Sequence, residues 1–511
     1  MNFKSLLTIT TSILLALTIF SSCSDDDNGS SEAPSVTAPA SSSNPNLLIG
    51  ESADITFDVT IPGVYASASV DAANGTATIS SEPSAGSTSG SVVVNYTANS
   101  SGAGTITLTV TDEDGLSDDG TTAVTIGEEA SEVMVTNNIT SDTTWETGKT
   151  YVLGGRIAVE AGATLTIEEG VVVKGEAGSG ANATALLIAR DATLNANGTA
   201  TAPIIFTSVA DEITPEDIVA GNFGSPNLEP DNNGLWGGVI ILGNAPISAA
   251  ESPAQIEGIP TSDTNGLYGG DDEGDNSGTI TYISIRHGGS NIGEGNEING
   301  LTLGGVGSGT TIENVEVVAN QDDGIEWFGG NVSVTNIMIW NSGDDGLDTD
   351  QDWIGTASNF FILAPSGSAF ELDGPEGTLN RGCHTFNNGI VYAGENVFSL
   401  VDFDSNTNAG LNDVYFYGWS GTYGPIEDNP GTEDDETLNP VDSFGGDGNC
   451  PSSNWEYTLT EGGSSVEDLF QGVPGEELIE VPLNGNSVGP NVADFEWTWA
   501  SQSGALSDIG L

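Results

Sequence analysis

Apolar and polar residues alternate along most of this chain, and the alternation has two textures. Between residues 47 and 127 it forms the runs ADITFDVTI, TATISS, SVVVNYTA, GTITLTVTDEDG and TTAVTI, separated by Gly, Ser, Pro and Asn. Side chains on a strand point to opposite faces in turn, so each run reads as a strand with one buried face. Short strands with turn signals at this spacing predict a β-sandwich. From about residue 133 the runs shorten and begin to repeat. TIENVEVVANQDDGIE (311–326) aligns without gaps on SVTNIMIWNSGDDGLD (333–348), an offset of 22. NGLTLGG (299–305) lies over DGIEWFG (323–329) at an offset of 24, and TASNFFI with AFELD continues the series at 23. TITYISI (279–285) precedes TIENVEV by 32, a difference matched by a small insertion around SNIGEGNE (290–297). A period near 23 is too short for a pair of helices, and every matched segment alternates with period two. Stacked coils whose strands pair in parallel, about 4.8 Å apart, satisfy both facts.

Stacking turns the repeat into a map of neighbours. Asn314, Asn336 and Asn359 should form one column, bonded side chain to side chain along the stack. Ile325, Leu347 and Phe370 should face the interior, which sends Glu326, Asp348 and Glu371 outward in a column of their own. Asp322 and Asp323 should lie near Asp344 and Asp345 at the adjoining turn. Trp340 falls in an outward column with Val318 and Arg286, so Trp340 and Arg286 are candidates for a ligand-binding face. Tyr415, Tyr417 and Trp419 form a second aromatic group, for which packing under a loop is the equal alternative. His287 and His384 have no partner at metal-ligand spacing and read as surface or turn residues. Residues 425–511, with the acidic run EDNPGTEDDET, lose the repeat and read as a cap closing the solenoid.

The charge makes the acidic columns a question. Asp and Glu number 74 against 7 Lys and Arg, a formal charge of -67. Such a chain excludes nucleic acid as a partner, because phosphate binding rests on Lys and Arg releasing counterions. Stacked carboxylates repel and shift one another's pKa values upward unless a cation intervenes. Calcium, which takes six to eight oxygen ligands in flexible geometry, is the expected cation. The plain alternative is turn chemistry, with Gly taking a positive φ and a solvated Asp capping the turn. The same alternative is preferred for DEDG (112–115) in the sandwich.

Three resemblances extend this reading. Met1–Lys4 and the apolar SLLTITTSILLALTIF (5–20) have the form of a signal peptide. The segment ends in SSC, and Cys23 resembles the lipidated cysteine of a bacterial lipoprotein, with Phe20 where that motif usually has Leu. Ser24 and the run SDDDN (24–28) are similar to the sorting and export signals of Bacteroidota surface lipoproteins. The resemblance implies a signal peptide over 1–22, an acylated Cys23 in outer-membrane lipid, a tether over 23–46, and display on the cell surface. TLTVTDEDGLSDDGTTAVTI (107–126) resembles the last hairpin of immunoglobulin-like modules of the PKD and cadherin-like kind, giving such a domain over 47–127. GATLTIEEGVVVKG (162–175) and DATLNANGTATAPIIFTS (191–208) resemble the first coils of right-handed parallel β-helix proteins of bacterial surfaces, giving a β-helix over 133–424.

Asp344-Asp345-x-x-Asp348, with Asp323 one coil earlier, resembles the calcium motif of family 9 pectate lyases. That family implies calcium on Asp323, Asp344, Asp345 and Asp348, with an acidic sugar bound through it. Its lysine base has no counterpart here, and Arg381 is the weak candidate to replace it. Cys383 and Cys450 are left as a disulfide or as two separately buried thiols. The expected function is that of a lipid-anchored, calcium-stabilised module that binds a polysaccharide or a neighbouring surface component without catalysis. The alternative is a calcium-dependent polysaccharide lyase or glycoside hydrolase on the same all-β frame.

Overall fold

A computed structural model of the chain describes residues 32–127, 131–290, 298–395, 397, 400–403, 406–419, 450–461, 463, 465–470, 473 and 475–511. The signal-peptide segment, Cys23, most of SNIGEGNE and the run EDNPGTEDDET lie outside the described residues. The chain divides into two units, Met1–Glu129 and Ala130–Leu511. No helix among the described residues is long and apolar enough to cross a membrane.

The first unit is two four-stranded sheets around one core. One sheet runs in the order Ser35–Thr37, Ser52–Thr60, Ser89–Ala98, Gly75–Ser81, all antiparallel. The other runs Leu47–Leu48, Ser117–Gly127, Gly102–Asp112, Tyr65–Ala73, antiparallel except for its first, parallel pair. Alternate residues of each strand, among them Phe57, Val94, Leu108 and Val124, fill the space between the sheets. The sandwich begins earlier than expected. Ser35–Thr37, placed in the tether by its composition, is an edge strand whose Val36 N–H donates to Asp118 at 2.9 Å. A three-residue strand is too short to show alternation, so only its contacts reveal it. In the DEDG turn, the Asp112 carboxylate accepts the Leu116 N–H at 2.8 Å, as a hairpin cap does.

The second unit is a parallel β-helix. One sheet stacks four- and three-residue strands such as Leu301–Gly304, Ile325–Phe328, Leu347–Asp350 and Phe370–Leu372 in parallel register. The other stacks long strands, including Gly278–Arg286, Thr311–Val318, Val334–Trp340 and Thr356–Leu363. In earlier coils each long strand is two separate pieces, and Gly278–Arg286 pairs with both Thr193–Asn197 and Ile204–Ser208. The long strands bend where those pieces meet. The bend residues are Asn314, Asn336, Asn359 and Asn388, with φ of 58°, 60°, 56° and 62°. Asn tolerates this left-handed region better than other non-glycine residues, because its short polar side chain bonds locally. Its amide then bonds along the stack: Asn336 Nδ2 donates to Asn314 Oδ1 at 2.9 Å, Asn359 to Asn336 at 3.2 Å, and Asn388 to Asn359 at 2.7 Å. The column read from the repeat is present and runs one rung further.

Ile325, Leu347 and Phe370 lie fully buried inside, as alternation requires, and Trp327 stacks on Trp353 at 4.6 Å. The outer faces are covered too. Ile247, Ile256, Ile259 and Tyr268, from an insertion between coils, pack over Leu187, Ile240 and Leu242 of the short-strand sheet. Cys383 and Cys450 are joined as a disulfide.

The C-terminal residues do more than close an end. Ser453–Tyr457 and Leu478–Glu480 add two further parallel strands to the long-strand sheet. Residues 488–511 then run back along its outer face as a strap. Phe495 meets Phe361 at 4.8 Å, Trp497 meets Tyr282 at 5.4 Å, and Trp499 meets Trp340 at 5.8 Å. The reason is visible in the strands beneath: Met338, Phe361, Ile390 and Tyr415 face outward and are apolar, so this sheet needs cover on both sides.

The Asn ladder yields a test. Asn359→Ala loses two amide bonds and leaves a Cβ in the left-handed region without the polar side chain that makes Asn tolerated there, at about 2–4 kcal/mol in all. Asn359→Gly loses the same bonds without that strain and should be the milder change. Urea unfolding followed by tryptophan fluorescence reads the second unit, since all 9 tryptophans lie in it. If alanine proves no worse than glycine, the backbone account of this column is wrong.

Candidate metal centre

The turns that carry the aspartates are built by stacking. Asp345 N–H donates to Asp323 Oδ1 at 2.9 Å, and Ser368 N–H donates in the same way to Asp345 Oδ1. Each of these carboxylates holds the amide one coil on. The glycines after them do not need a positive φ, contrary to the turn account above. A Cβ on Gly324 would come within 2.5 Å of Gly346 O and 2.7 Å of Ile339, so glycine is there for close approach between coils. The same holds at Gly346, where a Cβ would lie 2.6 Å from Ile362 and 2.7 Å from Ala369 O.

Beside these turns, Glu326, Asp348 and Glu371 pair in register, with Asp402 one rung further on. They point away from the core, as expected, but they are not solvated: Glu326 and Asp348 are 7% and 8% exposed. Asn299 Nδ2 donates to Glu326 Oε2 and to Glu257 Oε1, which lies in the inserted loop. Asp348 Oδ1 is buried without a hydrogen-bond partner. Burial, then the neighbouring carboxylates, hold the pKa values of Asp323, Glu326 and Asp348 well above the ordinary range. Burial, reinforced by Asp345, pushes Glu371 up to about 12, and burial with Glu376 nearby takes Asp350 up to about 7.

Two groups of carboxylates meet at Asp323. Asp323, Glu326 and Asp348 are all buried, with oxygens within 4.8 Å of one another; the same buried Asp323 forms a second such group with the half-buried Asp322 and the exposed Asp344. Oxygen-only donors without a thiol or imidazole suit a hard cation, and a buried carboxylate oxygen lacking any donor is what such a cation would satisfy. Asp345 and Glu371 adjoin this centre, the first occupied with the Ser368 amide. Asn299 and Glu257 are the residues that sequence reasoning missed. Asn299 sits one coil before Asp323 in the repeat, so its place was readable, while Glu257 arrives on an insertion that the repeat does not contain.

Other candidates lie elsewhere. Arg381 Nε donates to Asp352 Oδ2 at 2.9 Å and its Nη2 to Gly330 O at 3.0 Å, so this arginine ties down the turn at Asp352. Arg286 is 1% exposed, bonded to Ser284 and paired with Glu316, with Trp499 5.0 Å from its guanidinium. Trp340 packs against that same Trp499. The expected ligand face at Arg286 and Trp340 is thus occupied by the strap. Tyr415, Tyr417 and Trp419 are likewise buried. His287 and His384 are interior rather than surface residues; burial lowers the His384 pKa to about 3, and its Nε2 faces Thr349 Oγ1 at 3.3 Å.

Residues 137–391 match the pectate-lyase like beta helix domain. The matched span, just under half of the chain, holds the whole acidic centre and leaves out the sandwich and the strap. Among solved structures, the family 28 exopolygalacturonase of Yersinia enterocolitica is similar over 84% of this chain and 86% of that one, at 10% identity. The TM-score of that overlay is 0.20, too loose to support any inference. No curated protein matches the chain.

The raised carboxyls dictate how stability varies with pH. Folded, they keep protons that the unfolded chain releases near pH 4, so their contribution is full below that pH and is lost as pH rises through the folded pKa values. In EDTA the melting temperature of the second unit should fall between pH 5 and pH 8, the range that takes in Asp350 at about 7. Millimolar calcium at pH 8 should raise it again, because a ligand of the folded state alone stabilises it. A melting temperature indifferent to calcium at pH 8 would remove the metal centre.

Proposed function

We propose that the β-helix is a carbohydrate-active module that takes an acidic polysaccharide on calcium held by Asp323, Glu326 and Asp348. The observation that carries this reading is the buried, unpartnered Asp348 Oδ1 within a group of carboxylates that no basic side chain reaches. Among the described residues, Lys149, Arg156, Lys174, Arg190, Arg286 and Arg381 all make their contacts elsewhere. Without a cation this surface would repel an acidic chain; with one, sugar carboxylates and protein carboxylates share the same ion.

The match to the pectate-lyase-like domain favours cleavage of that chain over adhesion alone. Elimination needs a base, and Arg381 is committed to Asp352. Hydrolysis needs only two unlike carboxyl groups, one protonated and one charged. Glu371, kept protonated by burial, supports that route as the acid, and the exposed Asp344 is the carboxyl group open to act opposite it.

The rest of the chain fits display at a cell surface. Cys23, acylated after removal of residues 1–22, would anchor the protein in outer-membrane lipid. The first unit would be an immunoglobulin-like spacer. Its two strand orders follow the ABED and CFG arrangement of that fold, with Leu47–Leu48 as an added edge. A neighbouring surface polymer is then the natural ligand.

Polygalacturonate and other uronate polymers, offered to the purified protein with calcium or EDTA, test the proposal. Calcium-dependent retention is expected, weakened at least tenfold by Asp348→Asn. Unsaturated-product absorbance would identify elimination, and new reducing ends without it would identify hydrolysis. Retention that survives EDTA and Asp348→Asn, or no retention at all, rejects the proposal.

A further inference from the structure

The Asn ladder has a head, and the head is unfinished. Every rung passes its amide N–H to the rung before it, ending at Asn314 Oδ1. Asn314 should in turn donate to residue 282, which pairs above it, but that position is Tyr282. Tyr282 takes the same left-handed bend, at a φ of 50°, a conformation that suits Asn and strains a bulky ring. Asn314 is 6% exposed, and among the described residues its Nδ2 donates to no protein acceptor. It lines a cleft of about 820 Å³ between the strap and the segment 219–223.

The lining of that cleft has a definite chemistry. Tyr282 and Trp497 stand edge to face at 5.4 Å on one side. Glu313, Asp494 and Glu496 supply carboxylates, and no basic residue lines it. The half-buried Tyr282 ring, backed by the buried Trp497, amide donors and carboxylate acceptors together match the apolar face and the hydroxyl rim of a sugar ring. Three carboxylates without a counter-charge exclude sugar acids. Accepting from Asn336 polarises the N–H groups of Asn314, which makes them better donors.

We propose that this cleft is a binding site for an uncharged sugar residue, held by the free Asn314 amide and by Tyr282. It is independent of the acidic centre: different residues, a different face of the helix, and no need for calcium. Tyr282 is the residue that makes it, by breaking a ladder that would otherwise use up the donor.

Two substitutions test this in opposite senses. Tyr282→Asn completes the ladder and should raise the melting temperature while abolishing binding. Asn314→Asp keeps the acceptor for Asn336 but replaces the donors with charge, and should weaken binding at least tenfold with the fold retained. Binding is read from tryptophan fluorescence on titration with neutral tetrasaccharides of glucose, galactose, mannose, xylose and N-acetylglucosamine, in EDTA so that the acidic centre does not contribute. Saturable binding of at least one, abolished by Tyr282→Asn and weakened at least tenfold by Asn314→Asp, is the expected result. Failure of all five, preference for tetragalacturonate, or unchanged binding in the two variants overturns the proposal.

Discussion

In a parallel β-helix each side chain sits one strand spacing from its equivalent in the next coil, and everything else in the second unit answers to that constraint. Like is stacked on like. For apolar residues this is favourable, and Ile325, Leu347 and Phe370 make a dry interior column. For asparagine it is also favourable, because one amide carries both a donor and an acceptor. For carboxylates it is costly, and the chain meets that cost in two ways. Asp323 and Asp345 turn each carboxylate onto a backbone amide of the next coil. Glu326, Asp348 and Glu371 have no such outlet, and their charge must be carried by protons or by a metal ion.

The same constraint explains where the chemistry can sit. Each sheet has an apolar stretch on its outer face, that of the short-strand sheet covered by the inserted loop around Ile256 and Tyr268 and that of the long-strand sheet by the strap at Phe495 to Trp499. What stays polar is the margin of those covers. The acidic centre lies at the edge of the inserted loop, where Glu257 reaches Asn299. The cleft at Asn314 lies at the edge of the strap. Each opens where a cover stops.

Much of this could be read from residue order, because a repeat is a set of contacts written along the chain. The Asn column, the interior column and the outward acidic column all follow from offsets of 22 to 24. Contacts outside the repeat could not be obtained in that way. Trp499 lies far from Arg286 and Trp340 along the chain, and nothing in either segment announces the other. One signal was available: IMIW and FFIL are apolar without alternation, which indicates cover on both faces. The burial of Glu326 and Asp348 was hidden for a related reason, since period two tells outward from inward but does not tell exposed from covered. Glycine was misread at Gly324 because two needs, a positive φ and room for a neighbouring backbone, select the same residue.

The strap also imposes an order of events during folding. Gln502 accepts the Phe223 N–H and donates to Gly221 O, across more than half the length of the chain. Coils can stack one after another as they emerge, each templated by the last. Their outer face stays bare until the strap is in place. Until then a long apolar sheet surface is open to chaperones or to a second chain, so docking of the strap, rather than stacking of the coils, is the step that makes this face safe.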